Sequence, residues 1–567
     1  MKVVFCNQLT EMLGVQTLSA CLKQAGHETD LVFEPNLFAT GAIKEPRLIE
    51  LLSNDELVIE DILALEPDLV GFPVEINGYH WALKIAAGLK ARRPDLPIIA
   101  GGIHATMCPE VVAERPELDY CAVGEAEFSL VELCDILDGR KEGDPNKVEG
   151  IWCKDADGKV VDNGIGKEHR ELDDFPFYDK DLYYSKLPGL GAEYMTTISR
   201  GCPYNCTFCF YNAVHDIVGN RRVRLRSPGN VVDELVAAKA KYPWMESVLF
   251  HDDIFPVRVS WLAEFAPLYK EKVGLPYSCI TYPLLVTEKM AELLADSGCR
   301  SVIMGVQSLN EESRAETMER YEKNVDIFNA IRRLRERDIF VTCDHILGTP
   351  GETASDQDEA LLFYADAGPS VVKPLPLAYL PKTRMTKIGI EQGVISEQDE
   401  DDAAHGFINS LMFKGHGYET EWRPWFVMYG LRPLIPKSVF VKMVQNGTHR
   451  RLGGIPREFD PAIFFLPRIV RGMALGYDMR AKYLAWRFIE MFQYSMARKM
   501  RSQARGFQGT TGVATPQGPT YASRIASRVL RNRSRADRTE TAIPGAGLVS
   551  KLKGERREAW SYGRDGR

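Results

Sequence analysis

Beyond Cys343 this chain of 567 residues has no cysteine at all, and what precedes it shows no secretory leader. The opening Met1-Lys2-Val3-Val4-Phe5-Cys6 is too short an apolar run for an h-region and reads as a first strand. Twelve cysteines without such a leader are expected in a reducing, cytoplasmic compartment, where thiols serve metals or chemistry rather than disulfides. A membrane span is missing too: the best candidate, residues 461–477, is broken by Arg468 and Arg471. Nor is there an overall excess of positive charge. The net charge of −8 speaks against nucleic-acid binding by the chain as a whole. That charge is uneven, because residues 501–567 hold 14 Lys+Arg against 5 Asp+Glu. This end is rich in Ser, Gly and Thr and reads as a disordered basic tail, with a short helix expected near 521–530. The remainder, at 45% apolar and 26% charged overall, has the composition of a globular protein too long for a single core.

Residues 1–145 alternate short β-branched runs with helical patterns. KVVFC (2–6), TDLVFE (29–34), PDLVGFPV (67–74), LPIIAGG (96–102) and LDYCAVG (118–124) are five strands, each followed by a helix. Such alternation predicts a parallel sheet covered on both faces, in a doubly wound flavodoxin-like order with ligand at the carboxyl ends of the strands. Gly101 and Gly102 close the fourth strand, where the missing Cβ atoms would let a ligand approach or simply allow a tight turn. Residues 146–189 read as a hairpin and linker. A second βα series occupies 190–395, with strands expected at 194–199, 247–251, 277–281, 301–305, 339–346 and 370–375. Six parallel units suit a full or partial TIM-type barrel with chemistry at the strand carboxyl ends. Residues 396–500 are helical and rich in Arg and aromatics. Trp422, Trp425, Phe426, Tyr429, Phe464, Phe465 and Trp486 are expected in the main to be core, with some lining a substrate pocket.

The first barrel strand runs into SRGCPYNCTFCFYN, residues 199–212. Cys202, Cys206 and Cys209 make a CxxxCxxC pattern with no fourth cysteine nearby; the nearest histidine is His215. A structural zinc site needs four ligands, so zinc would have to borrow a distant group. Three inert cysteines in a polar loop would be unusual. A cubane cluster is usually held by four cysteines. With three, one iron keeps an open position for a substrate or cofactor.

CPYNCTFC resembles the signature of the radical S-adenosylmethionine (SAM) enzymes. The resemblance implies that Cys202, Cys206 and Cys209 bind three irons of a [4Fe–4S] cluster and that SAM chelates the fourth. It also implies a partial (β/α)6 barrel, reductive cleavage of SAM, and an external electron donor of flavodoxin or ferredoxin type. Further segments follow in the family's order. FHDDIF (250–255) resembles the acidic segment that binds the SAM amino group, with Asp253 the first choice and Asp252 the second; an N-cap is the plain alternative. GVQS (305–308) offers Gln307 and Ser308 to the SAM carboxylate or ribose, and DHILGTPGET (344–353) offers Gly348 and Gly351 beneath the adenine. YLPKTRM (379–385) carries Lys382 where relatives usually have Gly.

With a doubly wound domain in front, the chain is similar to the cobalamin-dependent radical SAM group, which includes the anaerobic magnesium-protoporphyrin ester cyclases and many methyltransferases. GGIHATMCPEVV (101–112) and VGEAEFSLVEL (123–133) resemble the strand ends of cobalamin domains, implicating Gly101, Gly102 and His104. The DxHxxG motif that supplies a cobalt-ligating His is absent from NQLTEMLGVQ (7–16). A domain that has lost cobalamin is therefore the competing interpretation. The function implied is methylation of an unactivated carbon of a small-molecule, lipid or peptide substrate. Ring formation or oxidation of the porphyrin-cyclase type is the alternative within enzymes. A cobalamin- or SAM-binding regulator with a nucleic-acid-binding tail is the alternative outside them.

Overall fold

The structure is a computed structural model that describes residues 1–37, 52, 54–219, 221–407, 421–456, 459, 462–463 and 479–508. Phe464, Phe465, Arg468, Arg471, the helix expected at 521–530 and most of the basic tail lie outside the described residues.

The first sheet is built from β1 (Lys2–Gln8), β2 (Glu28–Glu34), β3 (Leu69–Pro73), β4 (Ile98–Gly101), β5 (Tyr120–Ala122), β6 (Ile151–Lys154) and β7 (Val160–Val161). Its order is β2-β1-β3-β4-β5-β6-β7. The first five strands are parallel, in the expected flavodoxin-like order, and β6 and β7 extend the sheet antiparallel. The hairpin is thus part of this sheet rather than of a linker. Alternate residues serve opposite cores: Val3 and Phe5 of β1 join one apolar cluster, Val4 and Cys6 the other. Covering helices on both faces explain why nearly all of β1 is apolar or buried. The strand order reverses between β1 and β3, which opens a crevice at the carboxyl edge.

The second sheet consists of β8 (Glu193–Thr196), β11 (Ser247–Phe250), β12 (Tyr277–Thr281), β13 (Cys299–Gln307), β14 (Phe340–Leu347) and β15 (Val371–Pro376), all parallel in the order β15-β14-β13-β12-β11-β8. β8 and β15 are the two ends of this series, so the barrel is partial. A short antiparallel pair, β9 (Ser199–Arg200) with β10 (Arg224–Leu225), ties together the chain on either side of the cysteine loop. The helix Arg423–Leu431 buries Trp425, Phe426 and Tyr429 against the barrel, and Trp422 is buried beside it. These aromatics are core, as expected. Trp486, on the long helix Met479–Gln508, is exposed instead.

Candidate active site

The cysteine loop leaves β9 through Gly201, whose φ of 93° and missing Cβ are both required: a Cβ would stand 2.5 Å from the Arg222 carbonyl. The loop is then pinned across the carboxyl end of the barrel. Thr207 donates from its backbone N to Met318 O and from Oγ1 to Thr317 O, while Met385 N donates to Thr207 O. The helix Phe210–Val218 starts directly after Cys209. Cys206 is buried and Cys202 and Cys209 are partly so, and all three are free thiols. Burial pushes the Cys202 and Cys209 thiols up to about 12, and each is raised further by its neighbouring cysteines, so the three share one electrostatic site. Among the described residues no group of three His, Cys, Asp or Glu side chains is arranged around a single metal ion. Three free thiols on one loop supply the donors that would hold three irons of a cubane and leave the fourth open.

The two aspartates divide their roles. Asp252 is buried, and its oxygens accept from Ile198 N (3.0 Å), Ser199 N (2.7 Å) and Ser199 Oγ (2.5 Å). It fixes the strand end that launches the loop, and burial raises its carboxyl to about 7. Asp253 is solvent-exposed as a residue, but its carboxylate interacts with the Tyr211 hydroxyl and is raised by desolvation. The structure thus leaves Asp253 accessible to a ligand and occupies Asp252.

Gln307 ends β13 with a left-handed φ of 70°, and its amide lies beside Gly305, where a Cβ would come within 2.7 Å of Nε2. Ser308 Oγ instead accepts from Asn310 N at 3.2 Å, a local turn contact. Gly348 (φ 80°) sits under the Trp422 indole and donates to Glu352 Oε2 at 2.7 Å, whereas Gly351 (φ 79°) faces open space. Lys382 has a φ of 61°, a left-handed backbone that favours glycine. Its Nζ pairs with Glu110 of the first domain at 3.1 Å.

Sequence reasoning missed Arg320. This buried guanidinium donates to Cys206 Sγ (3.7 Å), Gly305 O (2.5 Å) and Glu322 Oε1 (2.9 Å), and lies over the Tyr282 ring at 4.4 Å. Tyr282 in turn stacks on Tyr204 of the cysteine loop, with centroids 4.1 Å apart. No local pattern could have revealed it, because Arg320 and Cys206 are 114 residues apart.

On the first domain Gly101 and Gly102 lie where β4 ends. A Cβ at Gly101 would meet Ala122 Cβ at 3.2 Å; at Gly102 (φ 103°) it would meet Val74 O at 3.1 Å. Gly102 therefore has a backbone reason, and Gly101 a packing reason, independent of any ligand. His104 is buried with its ring 4.7 Å from Tyr79, and burial lowers it to about 4, leaving a neutral imidazole. Its Nε2 and the Gln8 Nε2 at the end of β1 are buried polar atoms without a hydrogen-bond partner. Orphaned polar atoms at this carboxyl edge fit a polar cofactor such as cobalamin. Met107 and Cys108 after β4 pack on Ala213, with Phe210 and Val214 alongside, so this edge adjoins the helix that leaves the cysteine loop.

Comparison with known proteins assigns the two sheets. The Radical SAM superfamily matches residues 196–364, and the B12 binding domain matches residues 7–134. The chain carries a B12-binding domain followed by a radical SAM domain. A radical SAM domain works with a [4Fe–4S] cluster and SAM, and its partner domain with cobalamin. The chain is 26% identical to the anaerobic magnesium-protoporphyrin IX monomethyl ester cyclase of Rubrivivax gelatinosus over 373 residues, 63% of this chain and 62% of the cyclase. It is 23% identical to the cytidylyl-2-hydroxyethylphosphonate methyltransferase of Streptomyces wedmorensis over 440 residues, 69% of this chain and 80% of that enzyme. The match thus spans under two thirds of the cyclase. The fold resembles that of OxsB, a cobalamin-dependent SAM radical enzyme with aqua-cobalamin and SAM bound, at a TM-score of 0.61 and 15% identity, covering 94% of this chain and 83% of OxsB. In this radical SAM chain, no described helix is long and apolar enough to cross a membrane.

Proposed function

We propose that this chain is a methyltransferase that acts on an unactivated carbon of a small-molecule, lipid or peptide substrate. Cys202, Cys206 and Cys209 would hold the cluster, and the carboxyl edge of the first sheet would hold cobalamin. The observation that carries this reading is the packing of residues 107–108 on the helix that leaves the cysteine loop. It sets the edge proposed for one cofactor beside the loop proposed for the other.

When bound, the three cofactors together supply the chemistry: per methyl moved, two SAM and two electrons are consumed, the substrate hydrogen passes into 5′-deoxyadenosine, and methionine and S-adenosylhomocysteine leave. The chain's residues bind and orient. Asp253, accessible at the end of β11, accepts the SAM ammonium; Gln307 reaches the carboxylate or ribose. The Gly348–Gly351 turn, braced by Glu352 and Trp422, gives the adenine a flat backbone surface. His104 stays neutral and is the imidazole available on the cobalamin side. The stack of half-buried Tyr204 on buried Tyr282 and Arg320 shields the Cys206 side of the cluster from water. Electrons come from an external flavodoxin- or ferredoxin-type donor.

The test uses methyl-labelled SAM with reductant, cobalamin and candidate substrates. Methyl transfer predicts label in product carbon, with 5′-deoxyadenosine and S-adenosylhomocysteine formed together. Product with 5′-deoxyadenosine but no label and no S-adenosylhomocysteine would establish instead the cyclase-type reaction, which the likeness to the Rubrivivax enzyme favours.

A further inference from the structure

Four polar side chains from three elements meet in the core beside the Gly348 turn. His345 lies on β14, Gln357 and Tyr364 stand about two turns apart on one face of the helix Ala354–Ala367, and Tyr429 comes from the helix Arg423–Leu431. Each is less than 2% exposed. Polar groups buried so deeply need partners, and here they partner one another.

The bonds have a direction. Tyr429 Oη donates to Gln357 Oε1 at 2.8 Å, and Gln357 Nε2 donates to Glu352 Oε1 at 2.5 Å. Glu352 Oε2 in turn accepts from Gly348 N at 2.7 Å. His345 Nε2 lies 3.0 Å from Gln357 Nε2 and 3.2 Å from its Oε1, and His345 Nδ1 lies 3.1 Å from Tyr364 Oη. Burial lowers His345 to about 3, so its ring is neutral. With the amide nitrogen turned to Glu352, His345 Nε2 accepts the second Gln357 N–H and Nδ1 carries the proton toward Tyr364. Both ends of the Gln357 amide are then matched. The Tyr429 hydroxyl is what holds that orientation. Without a donor facing Oε1, the amide can turn over and set its oxygen against the Glu352 carboxylate, acceptor against acceptor. Glu352 then loses the bond that steadies it under Gly348. Trp422, at the start of the same helix as Tyr429, touches the turn as well: a Cβ at Gly348 would stand 3.4 Å from its indole nitrogen.

We propose that Tyr429, together with His345, is a positioning residue for SAM: acting through Gln357 and Glu352, it holds the Gly348–Gly351 turn in the shape that receives the adenine. The proposal rests on the reading of that turn as the adenine surface, and it brings a helix that follows the barrel in sequence into SAM recognition. Labelled SAM is equilibrated with anaerobically reconstituted full-length protein whose cluster is kept oxidised, so that no cleavage follows, and is displaced with methionine, which has the same chelating groups but no adenine. Tyr429→Phe should weaken SAM binding about five- to tenfold, the effect of one buried hydrogen bond, with methionine affinity and iron content unchanged. Gln357→Met should lose as much, and the double variant no more than either, because the two act in one chain of bonds. Trp425→Phe removes a different bond of the same helix, from the indole to Asp358 at 2.8 Å, and should leave SAM affinity within about twofold. The proposal is overturned if Tyr429→Phe binds SAM as the parent does, if it loses methionine equally, if the losses add in the double variant, or if Trp425→Phe loses as much. A parent that binds SAM no more tightly than methionine would instead overturn the adenine reading, and the proposal with it.

Discussion

Arg320 shows what a single residue adds to a site that the cysteine spacing already announces. Its N–H···S contact to Cys206 would stabilise the reduced, more negative cluster more than the oxidised one. Arg320→Met should therefore lower the midpoint potential of the reconstituted cluster by on the order of 50 mV, and Arg320→Lys should restore part of it. An EPR-monitored redox titration reads this directly; an unchanged potential would reduce the guanidinium to packing. Glu352 gives a residue-scale pH effect. Burial raises its carboxyl to about 7, against 4.5 for an ordinary glutamate. The folded protein then holds the proton more tightly than the unfolded one. The stability this confers is present below about pH 4.5 and is lost as pH rises through 7, a change of about 3 kcal/mol. Glu352→Gln keeps an acceptor for Gly348 N, so it should flatten that slope in denaturant melts across pH 4.5–7. A slope equal to the parent's would place the titration elsewhere. The cysteine spacing and the paired aspartates were legible as candidates because both patterns are local in sequence. The partners that hold Asp252 were not, since only the fold brings Ile198 and Ser199 onto it.

At the scale of elements, alternation of strand and helix patterns located every strand of both sheets, because strands buried on both faces are apolar throughout. The ends shifted by a few residues, as at β13, which runs from Cys299 to Gln307 rather than 301–305. A helical period cannot say which face turns inward, so the placement of Arg498 against Glu34 had no signal in sequence. The β4 turn is a different case. Its glycines were legible as special, but not the reason. Gly102→Ala forces a Cβ at φ 103° to within 3.1 Å of Val74 O and should cost about 1–3 kcal/mol of stability in cobalamin-free protein. A parent-like Tm for that variant would contradict the backbone explanation and return Gly102 to a ligand role.

The whole molecule joins two sheets whose carboxyl edges meet at residues 107–108 and 213. The order of the domains was readable from the βα series and the cysteine loop. The meeting of the edges was not, since it rests on contacts such as Lys382 with Glu110, 272 residues apart. The central claim is that the three-cysteine loop holds an open-iron cluster that cleaves SAM. It is tested most directly by 5′-deoxyadenosine formation in anaerobically reconstituted protein given SAM and a strong reductant. The parent should hold about four irons per chain and release 5′-deoxyadenosine even without substrate, and the Cys202→Ala, Cys206→Ala, Cys209→Ala variant should do neither. A fully iron-loaded parent that releases no 5′-deoxyadenosine, or a triple variant that releases as much as the parent, would contradict it.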